Sequence, residues 1–239
     1  MEAHNLERAA GGVLMANSGF GTSGSPHLAL KQWDPNEVLS GLLAGNLRFS
    51  KGQLEHPRRS PADFRPLAQG QYPGAVLVSC ADSRVAPEIL FDVGVGDIFV
   101  VRVAGNVVDP RSPTVTGSIE FAVSQLNVPL LMVLGHTTCG AVKAAKEHID
   151  AEHSLPGSLQ TLVEIIKPAV LQTRDLPGDP LTNAVIRNVQ LSVERVKKAE
   201  PILAARIREG KLKVVGAIYD LSTGLVTLVP TEPAMNAAT

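Results

Sequence analysis

The sequence predicts an α/β fold: a mainly parallel β-sheet flanked by helices, with a helical arm near the N-terminus. Three observations lead there. Short apolar runs, AVLVS (75–79), DIFVVRVA (97–104) and PLLMVLG (129–135), alternate with segments whose apolar residues recur at helical spacing. The runs read as strands buried on both faces, as in a parallel sheet covered by helices. Across 239 residues there is no internal repeat, and no second domain separates cleanly.

Residues 1–33 are rich in Gly, Ser and Ala without a clear period, so a flexible N-terminal arm is expected, or one that orders against a partner subunit. One domain over 34–239 follows, with an arm helix in 34–51 and a core in 75–229. Asp34 is placed to cap that helix, Pro35 needs no N–H bond at its first position, and Glu37 completes a box-like start. Leu39, Leu42 and Leu43 carry the helix towards Phe49, and Gly41 and Gly45 weaken it, so it depends on packing. Polar, proline-bearing residues 51–74 read as a connecting loop. PEILFDVG (87–94) reads as a short helix ended by glycine. In 114–127, Val115, Ile119, Ala122, Val123 and Leu126 share one helical face. CGAVKAAKEHI (139–149), 158–171 and 181–208 read as further helices. KLKVVGAIYDLSTGLVTLV (211–229) closes the chain as two strands around Asp220–Gly224. Crossovers between parallel strands should be right-handed.

Hydrophobic residues are 44% and charged residues 19% of the chain, and the formal net charge is −1. With no basic excess, nothing marks a nucleic-acid or anionic-membrane partner, which favours a small substrate. The N-terminus lacks a basic start followed by an apolar run, so no secretory signal is expected. No apolar stretch approaches the roughly 20 residues of a membrane span. Two cysteines do not make a disulfide scaffold. A cytoplasmic location is the expectation.

Both cysteines fall at the ends of predicted strands, where sites collect in open α/β sheets. Cys80 opens CADSR (80–84), and Cys139 follows His136 by three residues in GHTTCG (135–140). Two thiolates and an imidazole suit Zn²⁺, and three protein ligands with an open fourth position would make the site catalytic. Taken singly, each cysteine reads as an inert small hydrophobe, His136 as a hydrogen-bonded structural histidine, and the two thiols as a redox pair. None of those readings explains the whole group. Asp82 has three open roles: metal ligand, acceptor from the metal's water, or partner of Arg84 in an ordinary loop salt bridge. In RVAGN (102–106), Gly105 permits an unusual turn that Asn106 can hold. The glycines of DVGVGD do not form a dinucleotide fingerprint, and GHTTCG lacks the lysine of a phosphate loop.

On these residues the sequence resembles the β-class carbonic anhydrases. The matching pieces are CADSR, the GD-x-FVVR-x-AGN pattern from Gly96 to Asn106, GSIEFAV (117–123), GHTTCGAV (135–142), G-x-x-YDLSTG (216–224) and GNLRF (45–49). The resemblance covers roughly residues 34–229. It implies reversible hydration of CO₂ to bicarbonate and a proton by zinc-bound hydroxide, with one Zn²⁺ per chain on Cys80, His136 and Cys139. Asp82 would orient that hydroxide and Arg84 would hold Asp82. Gln71, Val85, Phe99 and Gly140 would serve the substrate, with Phe121 reaching the pocket from a second subunit. Leu77 stands where the family's allosteric members place a tryptophan, so with Gln71 the chain resembles the open-site, plant-like group. Thr137 replaces a common serine, and Ala104 a bulkier pocket residue. A homodimer or homotetramer is implied, with the first helix wrapping the partner. The same motifs leave room for a COS or CS₂ hydrolase of this fold, or for a zinc-stabilised structural or interaction module. His148 and His153 are proton-shuttle candidates by pKa alone.

Overall fold

The computed structural model describes residues 33–151 and 154–230. Apart from Trp33, the N-terminal arm expected at 1–33 lies outside the described residues, as does His153. The elements in order are α1 (Pro35–Ser50), α2 (Pro61–Phe64), β1 (Ala75–Cys80), α3 (Pro87–Leu90), β2 (Ile98–Val103), α4 (Pro113–Ser124), β3 (Leu130–His136), α5 (Gly140–Asp150), α6 (Ser158–Thr173), α7 (Pro180–Lys198), α8 (Leu203–Arg208), β4 (Lys213–Tyr219) and β5 (Val226–Val229). Among the described residues no helix is long and apolar enough to cross a membrane.

The strands form one sheet in the order β2-β1-β3-β4-β5, parallel throughout except for the antiparallel β4–β5 hairpin. Every residue of β1 and β3 is buried, as expected of central strands with helices on both faces. Alternation then sorts side chains to opposite layers. Leu77, Leu130, Met132 and Leu134 meet α1 and α3 through Val38, Leu42 and Leu90. Val76, Val78, Leu131 and Val133 meet α4 and α7 through Ile119, Val189 and Val193. A third cluster, from α5, α6 and α7, closes over the strand ends and contains Cys80 and Cys139.

The start of α1 follows its sequence signal: the Asp34 carboxylate accepts from the amides of Asn36 and Glu37. From the resemblance this helix should wrap a partner, but in the single chain Val38, Leu39 and Leu42 bury against their own sheet. Buried Asn46 fixes it there, donating to the carbonyls of Leu90 and Gly224 and accepting from the Val226 amide at 2.7 Å. Gly45 is the point of close approach to the backbone at Phe91.

Several boundaries differ from the sequence reading. The stretch 51–74 contains α2, whose Ser60 amide donates to the Asp63 carboxylate, and a following 3₁₀ turn at Arg65–Gln69. The helix expected over 87–94 ends at Leu90, because Asp92 takes a left-handed conformation and its side chain accepts from elsewhere. The helix expected over 181–208 divides into α7 and α8 around Pro201, which has no N–H to continue the ladder. Cys80 and His136 are the last residues of β1 and β3 rather than lying past them.

Candidate metal centre

The chain passes from β1 to β2 on one side of the sheet, then crosses to β3 on the other side of β1. Such a reversal opens a crevice at the carboxyl ends of the two strands. Cys80 and His136 end those strands, and Cys139 caps the start of α5 three residues on. The ligand atoms of Cys80, His136 and Cys139 lie within 4.8 Å of one another, and all three residues are buried.

The two sulfurs are 4.0 Å apart. Two thiolates bound at about 2.3 Å to one tetrahedral zinc would be about 3.8 Å apart, so the spacing suits that ion. The imidazole is oriented for the same purpose. His136 Nδ1 donates to the Thr137 carbonyl at 3.0 Å, which leaves Nε2 with its lone pair. That Nε2 is buried without a hydrogen-bond partner among the described residues. A buried acceptor left unpaired is costly, and a cation satisfies it. The Cys139 thiol beside it pulls Cys80 well below the ordinary thiol value, while Cys80 and burial push Cys139 up. A metal bound here would take both sulfurs as thiolates, since metal ligands must be deprotonated.

Asp82 sits at the rim. The two-residue spacing to Arg84 lets its Oδ1 accept from the Arg84 amide at 3.0 Å and Nε at 2.9 Å, while Oδ2 accepts from Nη2 at 2.7 Å. The Arg84 guanidinium holds this carboxyl well below the usual carboxylate range, against partial burial. Its Oδ2 stands 3.8 Å from His136 Nε2, beside the cluster rather than inside it.

Arg102, Gly105, Thr137 and Thr138 build the surroundings. Arg102 of β2 donates to the carbonyls of Cys80 (3.2 Å) and Asp82 (2.8 Å), tying the CADSR turn to the neighbouring strand. The Gly105 amide donates to Cys80 Sγ at 3.2 Å. Thr138, between the two halves of the H-x-x-C motif, takes φ +53°, rare for a β-branched residue. The Thr137 hydroxyl accepts from the Leu221 amide, so it serves the β4–β5 hairpin. Arg102 was visible in RVAGN, whereas nothing in the sequence marks Thr138.

The expected substrate residues divide. Val85 is fully buried in the core cluster with α1 and α3, and Gly140 is exposed at the head of α5 with open space above it. Phe99 pairs with Val76, four residues before Cys80 and so about 13 Å back along the sheet. Its ring meets that of Phe121 at 6.3 Å. Exposed Gln71 precedes β1 at the same end. The fold therefore does not bring Gln71, Phe99 or Phe121 to this chain's own cluster. Those sequence signals specify residue types, and the strand register places them at the far end. His148, nine residues along α5 from Cys139, is also distant, by about 13 Å of helix. Two surface cavities of about 550 and 580 Å³, one beside His148 and one beside Arg195, include no residue of the cluster.

Comparison with known proteins agrees with this geometry. Residues 75–226 match the family model described as carbonic anhydrase. Carbonic anhydrase 2 of Mycobacterium tuberculosis is 43% identical over 196 residues, spanning 82% of this chain and 93% of that protein. A carbonic anhydrase of Mycolicibacterium smegmatis is 40% identical over 82% of this chain and 93% of its own length. Among solved structures, a Coccomyxa β-carbonic anhydrase in complex with acetazolamide superposes with a TM-score of 0.64. It is 29% identical, with 80% of this chain and 86% of that one covered.

Proposed function

The chain belongs to the β-class carbonic anhydrase family, and from that premise we propose that it hydrates CO₂ reversibly with one zinc ion held by Cys80, His136 and Cys139. The observation that carries the reading is the buried, unpartnered His136 Nε2 between two sulfurs, beside an aspartate locked by arginine. Zinc bound there would supply a Lewis acid that lowers the pKa of a coordinated water to about 7.

The protein's own groups do the rest. Asp82, kept ionised by Arg84, can only accept, so it would orient the reacting water by accepting a hydrogen bond from it. With both oxygens engaged by Arg84, Asp82 is held back from the metal position, which supports the open-site, plant-like arrangement. Arg102 and the Gly105 amide hold the CADSR turn and the Cys80 sulfur. Gly140 leaves space above the head of α5 for CO₂ and bicarbonate.

The apolar side of the pocket comes from a second copy of the chain. Phe99 lies on the edge strand β2 against Phe121 of α4, with Phe121 47% exposed, and Gln71 precedes β1 at the same end of the sheet, where a neighbour's crevice can receive them. A homodimer is thus the smallest complete unit, and tetramers can be built from it.

Stopped-flow CO₂ hydration between pH 6.5 and 9 on zinc-quantified protein is the test. Fast turnover that depends on zinc and is suppressed by azide or acetazolamide is the expected result. Full zinc occupancy without hydration would overturn the reading. Sulfide release from COS or CS₂ would then identify a hydrolase of this fold, and no turnover at all a zinc-stabilised structural module.

A further inference from the structure

Helix α7 buries Ala184, Val185, Val189, Val193 and Val196 along one stripe, and two polar residues interrupt it. Asn188 is 1% exposed and Ser192 is fully buried. An amide in such a stripe is unfavourable unless it is bonded, and packing alone would be served better by leucine. Asn188 makes one bond of note: its Nδ2 donates to the carbonyl of Gly105 at 2.7 Å. Its Oδ1 has no partner among the described residues, so the donor side is what holds the group in place.

Gly105 is the residue whose amide donates to Cys80 Sγ. It sits at φ +69°, and Asn106 follows at φ +46°, so two successive left-handed residues form the turn. A Cβ on Gly105 would stand 3.0 Å from Ile166 and 3.3 Å from Ala141, so glycine is required on space as well as on conformation. Such a turn is strained and needs bracing from outside. Ser192 Oγ, 3.4 Å from both the Asn106 carbonyl and the Val108 amide, adds weaker support one helical turn further on.

We infer that Asn188 is a positioning residue for the metal centre. By holding the Gly105 carbonyl it fixes the rotation of that residue and keeps its N–H on the Cys80 sulfur. The inference rests on Cys80 being a metal ligand. An amide donor withdraws charge from a ligating thiolate, so the bond sets how strongly the sulfur donates to the metal. The line runs from a buried helix face, through one backbone carbonyl and one backbone amide, to the ligand.

The test is Co²⁺ substitution in the full-length chain, comparing wild type with Asn188→Leu and Val193→Ala. The Asn188→Leu variant should shift the sulfur-to-cobalt charge-transfer band to longer wavelength. It should also weaken Co²⁺ about 10- to 100-fold in competition with a chelator. Val193→Ala, which removes core volume from the same helix face, should lower thermal stability and leave both readouts at wild-type values. Should the leucine variant fail to fold, Asn188→Ala, which adds no bulk, gives the same two readouts. A wild-type band and affinity in the Asn188 variant would overturn the inference while leaving the metal site standing. Absence of any thiolate band in wild-type protein loaded with Co²⁺ would overturn both.

Discussion

Replacing Asp82 by asparagine separates chemistry from structure at this site. The amide keeps the size of the carboxylate and one oxygen, so the bonds from the Arg84 amide and Nε to Oδ1 can persist. The bond from Arg84 Nη2 to Oδ2 is lost, because an amide nitrogen cannot accept. Arg84 is 54% exposed, so water screens the pair and its loss should cost little stability. For a domain of this size the Tm should therefore fall by at most about 4 °C. Catalysis stands to lose far more, because a group that positions a proton contributes about 10²- to 10⁴-fold. At 1.36 kcal/mol per tenfold, that is about 2.7–5.4 kcal/mol of barrier. The assay is stopped-flow hydration with zinc quantified on the same sample, together with a thermal scan. Asp82→Asn should keep its zinc, melt within a few degrees of wild type and turn over at least 100-fold more slowly. Full turnover would refute the orienting role, and activity lost only in proportion to zinc would make Asp82 a support of the metal site instead.

Three further perturbations test other parts of the structure. His136→Ala should reduce bound zinc, by elemental analysis after gel filtration, from about one per chain to well below it; full occupancy would remove His136 from the ligand set. Asp92→Asn should cost about 3 kcal/mol in urea unfolding, because Asp92 is buried and accepts from Arg48 Nε and the amides of Glu55 and His56. Although burial pushes the Asp92 carboxyl up, those donors bring it below its ordinary value. Its contribution should therefore be complete above the unfolded carboxylate value of about 3.9 and fade as pH falls through the lower folded value. The gap between wild type and variant should be flat from pH 7 to about pH 4 and narrow below; narrowing already near pH 6 would contradict it. Gly45→Ala gains about 1 kcal/mol in helix propensity but drives a Cβ into the carbonyl of Phe91, so the melting temperature should fall. A rise would mean that α1 is not pressed against Phe91 in solution.

Much of this protein was legible in one dimension. Unbroken apolar runs announced the parallel strands, Asp34 and Pro35 announced α1, and the donor chemistry of Cys80, His136 and Cys139 suggested the group that the fold brings within 4.8 Å. The Asp82–Arg84 pair was legible because a side chain two residues from its partner needs no fold to reach it. Four features depended on the tertiary structure, because they are contacts across the fold. Strand order brought Cys80 and His136 to one crevice. Register placed Phe99, which the resemblance assigns to the substrate pocket, beside Val76 at the far end of β1 from Cys80. Arg102 and Asn188 gained their roles only when β2 and α7 packed beside a turn 20 or more residues away in sequence. Local signals follow from the chemistry of neighbouring residues, whereas a polar side chain on an apolar helix face has no meaning until the backbone group it bonds is known.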